Sequence, residues 1–264
     1  MSDSGSLKDR VAIVVGGSGG FGEAIARRLV AAGAKVAIAA RDAEKLEAVA
    51  KSIGATAVVC DVTSSEQVKA LVDQVVAECG RLDIGINASG YEDFCPIAKL
   101  EPERVERMVA VQFTGALYFI QHLANAMSQG GSITTIGSLT STLTAEGYAP
   151  YAGAKAGINH VTRIAASEYG AQGVRVNVVS ASLVETPMTE GIVNAPGVRA
   201  AFTAETPLGR FGTIDDIVDT VAWISSDQAA YITGQNILVD GGTSLRRLPR
   251  AEDFMRAAKE AANN

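Results

Sequence analysis

Tyr151 and Lys155 are the residues whose types and spacing most directly suggest chemistry. They stand four apart in the run YAGAK, so on a helix both side chains leave from one face. A free tyrosine has a pKa of about 10, and a neighbouring ammonium favours its phenolate, drawing it toward the range useful for proton transfer near neutral pH. A packed tyrosine beside a lysine reaching for water has the same spacing, so the pair alone decides little. Its weight comes from order along the chain. The run VVGGSGGFGEAIARRLV sets Gly16, Gly20 and Gly22 between an apolar strand and a helix. There the backbone can approach a pyrophosphate, whose charge the helix N-terminus favours. An NASG turn, Asn87 to Gly90, follows a later strand, and Ser138 precedes Tyr151 on the same frame.

The end of the second strand bears on the choice of dinucleotide. A carboxylate there would bind the adenosine ribose hydroxyls and repel a 2′-phosphate. This chain has Ala40, followed by Arg41, whose guanidinium suits a 2′-phosphate. Asp42 argues the other way, although it is equally placed to cap the next helix. NADP(H) is the expected cofactor, with NAD(H) as the alternative.

Positioning these groups takes a frame, and β-rich runs alternate with helix-length segments to supply one. Strands are expected at 11–15, 35–39, 56–59, 82–86, 132–136, 174–179 and 236–239. Helices are expected at 21–32, 43–53, 65–79, about 102–127, 151–169 and 214–225. This rhythm predicts a single α/β domain over 1–264, with a doubly wound, seven-stranded parallel sheet and helices on both faces. The Thr-, Pro- and Gly-rich stretch 186–212 breaks the rhythm and reads as a functional loop with a little helix of its own. The tail, 243–264, has Ala251, Phe254, Met255 and Ala258 at helical spacing after Pro249. Two readings stay open for it: docking on a neighbouring subunit, or a frayed surface terminus.

Composition removes several function classes. With 264 residues, 47% hydrophobic and 20% charged, the chain can bury a substantial core. The formal charge of −6 gives no general attraction for nucleic acid. The opening MSDSGSLKDR lacks the apolar core of a signal peptide, and no segment reaches membrane-helix length, so a soluble cytoplasmic protein is expected. Cys60, Cys79 and Cys95 lack metal-ligand spacing, and His122 and His160 are far apart, so no metal site is expected.

Taken in order, the glycine loop, the NASG turn, Ser138, YAGAK and the terminal VDGG resemble the short-chain dehydrogenase/reductase family over about residues 7–242. The resemblance implies a Rossmann-like fold and reversible hydride transfer to a carbonyl or from a secondary alcohol. Tyr151 would be the general acid or base, Ser138 would bond the substrate oxygen, and Lys155 would hold the nicotinamide ribose and depress the tyrosine pKa. Ser18 and Phe21 belong to the expected pyrophosphate loop, Asp61 and Val62 match adenine contacts, Asn87 and Ala88 the turn beside the cofactor, and Val184 and Thr186 the carboxamide site. Similar proteins commonly form tetramers, and Ala152, Ala154, Ala156 and Gly157 would let a second helix approach closely; a homotetramer is expected, with a dimer as runner-up.

Three positions depart from the family pattern. Val15 replaces a threonine, and Ala181-Ser182 replaces a Pro-Gly pair, which would put the Ser182 side chain near the cofactor. Gln112 stands where the family has a catalytic asparagine; its extra methylene moves the amide by about 1.5 Å. The expectation is an active enzyme with an altered proton relay. The competing reading is a weakly catalytic, cofactor-sensing protein on the same fold. Tyr91, Leu139, Leu143, Tyr148, Met188, Ile192, Val193 and Phe202 are candidate walls of a substrate pocket, and their apolar character points to a hydrophobic ketone or alcohol.

Overall fold

The apolar runs become strands because both of their faces find cover. In the computed structural model, which describes residues 7–262, β1 (Val11–Val15) is buried at every position. Val11, Ile13 and Val15 join one core cluster while Ala12 and Val14 join the other, as the two-residue period of a strand requires. The chain continues through α1 (Gly20–Ala31), β2 (Lys35–Ala40), α2 (Ala43–Ile53), β3 (Thr56–Val59), α3 (Ser65–Cys79) and β4 (Ile84–Asn87). It then runs through α4 (Pro102–Val109), α5 (Gly115–Ala126), β5 (Gly131–Ser138), α6 (Ala149–Tyr169) and β6 (Val174–Ala181). Last come α7 (Glu190–Val193), α8 (Val198–Glu205), α9 (Ile214–Ser225), β7 (Asn236–Val239) and α10 (Ala251–Ala262). The first six and last two residues, part of the polar opening and of the C-terminal tail, lie outside the described residues.

The strands form one seven-stranded sheet in the order β3-β2-β1-β4-β5-β6-β7, with every pairing parallel. Leu71, Phe119, Leu123 and Ile158 bring α3, α5 and α6 onto one face, and Ile25, Leu29, Leu46, Ile217 and Val221 bring α1, α2 and α9 onto the other. Each of these large side chains contributes about 1.5–3 kcal/mol by leaving water. Strand order reverses between β1 and β4, so a crevice opens at their carboxyl ends.

Local signals set the helix ends. The Asp42 side chain accepts from Lys45 N at the start of α2, which ends at Gly54 with φ 73°, and Ser64 caps α3 in the same way. Thr213 and Asp216 close a reciprocal capping box on α9. The long helix expected over 102–127 is present but interrupted: Ala110–Thr114 form a single π turn between α4 and α5. Such a turn carries one extra residue and rotates the following face. β5 and β6 exceed the expected strands because they pair from Gly131↔Val174 through Ser138↔Ala181. The stretch 186–212 has the short helical content expected of it, in α7 and α8, and an isolated parallel bridge between Val184 and Gly212 joins its two stems.

Candidate active site

A cleft of about 490 Å³ occupies the crevice between β1 and β4. Its floor at one end is the loop from β1 to α1, with Gly16, Ser18, Gly20 and Phe21 on the lining. Gly16 has φ 78°, and a Cβ there would sit 2.6 Å from the Ala88 carbonyl group, so this turn excludes other residues on two grounds. A Cβ on Gly22 would strike the Gly16 carbonyl oxygen; Gly22 lies behind the loop, off the cleft lining, and lets α1 pack against it. Gly19 is the N-cap of α1 and offers no side-chain cap, leaving the helix N-terminus to another partner.

The end of the cleft beyond β2 and β3, where adenosine is expected, has two cations and two carboxylates. Arg41, Asp42 and Lys45 line the cleft beyond β2, with Asp61 and Val62 beyond β3. Asp42 is committed to its helix, accepting from Lys45 N at 3.1 Å. Burial pushes the Asp61 carboxyl up, but bonds from the Thr63 amide and hydroxyl and the charge of Arg41 outweigh it and hold the group below its ordinary range. Lys45 was not singled out in the sequence, although its signal was there: it is one turn beyond Arg41, at the third position of a helix capped by Asp42.

At the other end lie Ala88, Tyr91, Gln112, Tyr151, Lys155 and Thr186, with Pro187 and Met188. Pro150 within the first turn starts α6 at Ala149 rather than at Tyr151. Lys155 is buried and donates from Nζ to Ile136 O at 2.7 Å, and the same atom lies 5.7 Å from the centroid of the Tyr151 ring. Burial lowers the lysine pKa to about 8. The tyrosine departs from expectation. Burial raises its pKa to about 12, a hydrogen bond with Ser138 pulls it down, and the charge of Glu92 and the neighbouring Tyr148 push it further up. The expected depression by Lys155 does not figure among the causes, and burial of the phenol is the largest of them.

Ser138 ends β5 beside this pair without lining the cleft. Its Oγ accepts from Thr140 N at 3.2 Å and Thr140 Oγ1 at 3.0 Å, which fills both acceptor sites and leaves its hydrogen for the bond with Tyr151. Asn87 is also off the lining; its Oδ1 accepts from Ser89 N and Ser89 Oγ and fixes the turn. Gln112 falls in the π turn, is 3% exposed, and donates from Nε2 to Tyr91 O at 2.7 Å. Its Oε1 and the Tyr91 hydroxyl are buried without a partner, two polar atoms that a ligand or water could satisfy. The open space at Gly19 and Gly20, the uncapped α1 N-terminus, the cations Arg41 and Lys45 and these orphaned atoms fit a nicotinamide dinucleotide along the cleft.

Several expected contacts fall elsewhere. Val184 is turned away from this cleft, and with Ser182 it lines a second one against β7; the β-sheet pairing of Ala181 turns the chain so that Ser182 does not face the cofactor side. Phe202 points to Phe254 and Phe211, with ring centroids 6.2 and 6.4 Å away, and not to the substrate side. Leu139 and Val193 are core residues, while Leu143 and Ile192 are half-buried and off the cleft lining. Tyr91 and Met188 do line the cleft. Tyr148 stands edge-on to Tyr151, and Phe94 edge-on to Tyr148, but both lie off the cleft lining. Glu92, unremarked in the sequence, is a half-buried carboxylate whose pKa is raised by burial and whose charge reaches both tyrosines. Among the described residues, no cluster of His, Cys, Asp or Glu could hold a metal ion, and no helix is long and apolar enough to cross a membrane.

Comparison with known proteins agrees with this geometry. A family model described as enoyl-(acyl carrier protein) reductase matches residues 16–244. An uncharacterized oxidoreductase of Methylorubrum extorquens is 37% identical over 245 residues, which is 89% of this chain and 98% of that protein. Among solved structures, a short-chain type dehydrogenase/reductase from Mycobacterium ulcerans superposes with a TM-score of 0.90 at 32% identity over 93% of each chain. A gluconate 5-dehydrogenase from Burkholderia cenocepacia, in complex with NADP and tartrate, gives a TM-score of 0.88 at 28% identity over 92% of this chain and 98% of its own.

Proposed function

The chain belongs to the short-chain dehydrogenase/reductase family and is an NAD(P)-dependent oxidoreductase; we propose that it works with NADP(H) on a carbonyl or secondary alcohol of mainly apolar character, with Tyr151 as the proton donor and acceptor. The observation that carries this reading is the placement of half-buried Tyr151 and buried Lys155 together on the wall of the cleft, one helical turn apart. The dinucleotide, when bound, supplies or accepts the hydride. Gly16, Ser18, Gly20 and Phe21 would hold its pyrophosphate, and Asp61, Val62, Ala88, Lys155 and Thr186 the parts on either side.

Each side chain has one task in the proton path. Tyr151 keeps its proton at neutral pH, which suits it to donate to the oxygen of a carbonyl under reduction, and in oxidation the same phenol takes the proton back. Thr140 fills the Ser138 lone pairs, so the Ser138 hydroxyl can only donate, and its hydrogen, now bonded to Tyr151, would turn to that oxygen. Lys155 uses one N–H on Ile136 O and has others for ribose and phenol. The unpartnered Oε1 of Gln112 suits it to hold a water in the relay. For NADP(H) over NAD(H), support comes from the cations Arg41 and Lys45 and from the engagement of Asp42 as a helix cap. Tyr91 and Met188 on the cleft lining support an apolar substrate. Val109, Leu117 and Ile164 are exposed on the outer helices and support self-association through them, as in a homotetramer.

The test is Tyr151→Phe, assayed with NADPH and NADH over a panel of ketones and alcohols. Turnover is expected to fall by about 10²–10⁴-fold, with dinucleotide affinity unchanged. Equal turnover of the variant, or tight dinucleotide binding by the native chain with no turnover of any panel member, overturns the reading.

A further inference from the structure

The match to the family model ends at residue 244, and the C-terminal tail lies beyond it. The tail folds into α10 and lies on α8, within the segment 186–212 whose first residues, Thr186, Pro187 and Met188, line the active-site cleft.

The contact is specific in three ways. Phe254 stacks on Phe202 of α8, with centroids 6.2 Å apart and planes 13° from parallel. Gly197, the left-handed N-cap of α8, admits the α10 backbone: a Cβ there would meet Ala258 N at 2.8 Å. Asp253 is only 4% exposed, yet carries a charge. Arg247 binds it through both guanidinium ends at 2.6 and 3.0 Å, Arg256 adds a bond at 2.8 Å, and Arg250 N a further one at 2.8 Å. Arg247 also pairs with Glu205 at 3.1 Å, and Arg246 donates to Ala204 O at 2.6 Å, so the last turn of α8 is tied to the root of α10. A frayed end does not place a carboxylate in the interior and satisfy it four times.

We propose that α10 is a positioning element for the substrate side of the active site, with Phe254 and Asp253 as positioning residues that hold α8 and, through it, the segment beginning at Thr186. Neither residue touches the cleft. Their effect passes along a short run: Thr189 at the foot of α7 donates to Val184 O and accepts from Thr186 N at 2.9 Å, so the stem of the segment is rigid up to the helices that α10 holds. This rests on the cleft being the active site.

The experiment uses the full chain with NADPH present and compares Phe254→Ala, Phe254→Tyr and Asp253→Asn with the native protein. Hydrogen exchange is expected to quicken over 186–205 in Phe254→Ala and Asp253→Asn and to stay native over β1 and β4. NADPH affinity is expected to stay native in both. KM for a ketone is expected to rise about tenfold with kcat changed less, the pattern of lost substrate positioning, while Phe254→Tyr keeps the stacked ring and restores both readouts. Unchanged exchange over 186–205 in Phe254→Ala overturns the proposal, as does a loss of NADPH affinity equal to the rise in KM. If exchange quickens as stated but the native chain turns over no ketone or alcohol, the docking stands and the active-site reading, with the positioning role built on it, fails. A variant that unfolds shows exchange rising over β1 and β4 as well, and Asp253→Asn then carries the decision.

Discussion

Removing the two cations at the rim of the cleft should change which dinucleotide the protein prefers. Arg41 and Lys45 both line the adenosine end, where a 2′-phosphate would distinguish NADPH from NADH. A hydrogen bond to a charged group contributes about 1.5–3 kcal/mol when sheltered. Here the Lys45 side chain is 74% exposed and Arg41 is exposed too, so screening brings each down to about 0.5–1 kcal/mol. Arg41→Ala or Lys45→Ala alone should then weaken NADPH about two- to fivefold, and the double variant about 5- to 30-fold, at about 1.4 kcal/mol per factor of ten. NADH should be nearly unaffected. The preference should also shrink in the native protein at 1 M salt, where charges are screened beyond about 3 Å. Asp42→Asn is the control: its amide oxygen can still accept from Lys45 N and hold the cap, but the negative charge is gone, so NADPH should bind more tightly. Titration of NADPH and NADH by nucleotide fluorescence at two salt concentrations reads all four variants. A native chain that binds NADH more tightly, or an Arg41→Ala variant that loses both nucleotides equally, refutes the argument.

Gln112→Asn shortens the side chain by about 1.5 Å and takes Nε2 out of reach of Tyr91 O, at a cost of about 1 kcal/mol and roughly 2–4 °C in melting temperature. Turnover should stay within about tenfold of native, and a loss beyond about a hundredfold contradicts the relay described for this side chain. Gly22→Ala drives a methyl group into the Gly16 carbonyl; overpacking of about 1–3 kcal/mol should displace the loop and weaken both dinucleotides about tenfold, and native affinity in titration would be the contrary result. Lys155 ionises with a folded pKa of about 8, below its unfolded value, so the unfolded chain binds the extra proton between about 8 and 10.5 and native stability from this group rises with pH across that window and is lost as pH falls through 8. Thermal melting of the native protein minus that of Lys155→Met should therefore increase from pH 7.5 to 10, and a flat difference would show that burial does not act on the lysine as stated.

The sheet was legible because burying both faces of a parallel strand leaves an apolar run that few other structures produce, as in Val11–Val15. Helix ends were legible where a side chain does the capping, as at Asp42. The π turn was not, because its cause is a shift in backbone hydrogen-bond register that no residue in AVQFT announces. The glycine loop and the Tyr151–Lys155 pair stood out through the order of motifs along the chain, since their spacing alone fits a plain turn and a packed tyrosine equally well. The substrate side could not. Whether Ser182, Val184 and Phe202 face the cleft depends on how strand β6 leaves the sheet and on what α8 packs against, and both are long-range matters. The tyrosine pKa failed for a related reason: spacing predicts a nearby charge but says nothing of the burial that outweighs it.

The bridge between Val184 and Gly212 makes the intervening stretch a closed excursion from the sheet, fastened where it leaves and where it returns. Lengthening such an excursion is cheap, about 0.6 kcal/mol for each doubling, because its ends are already held together. A chain with this stitch can exchange the contents of one cassette and so alter what it recognises, while the nucleotide grip, built from strands on the other side of the stitch, keeps its shape.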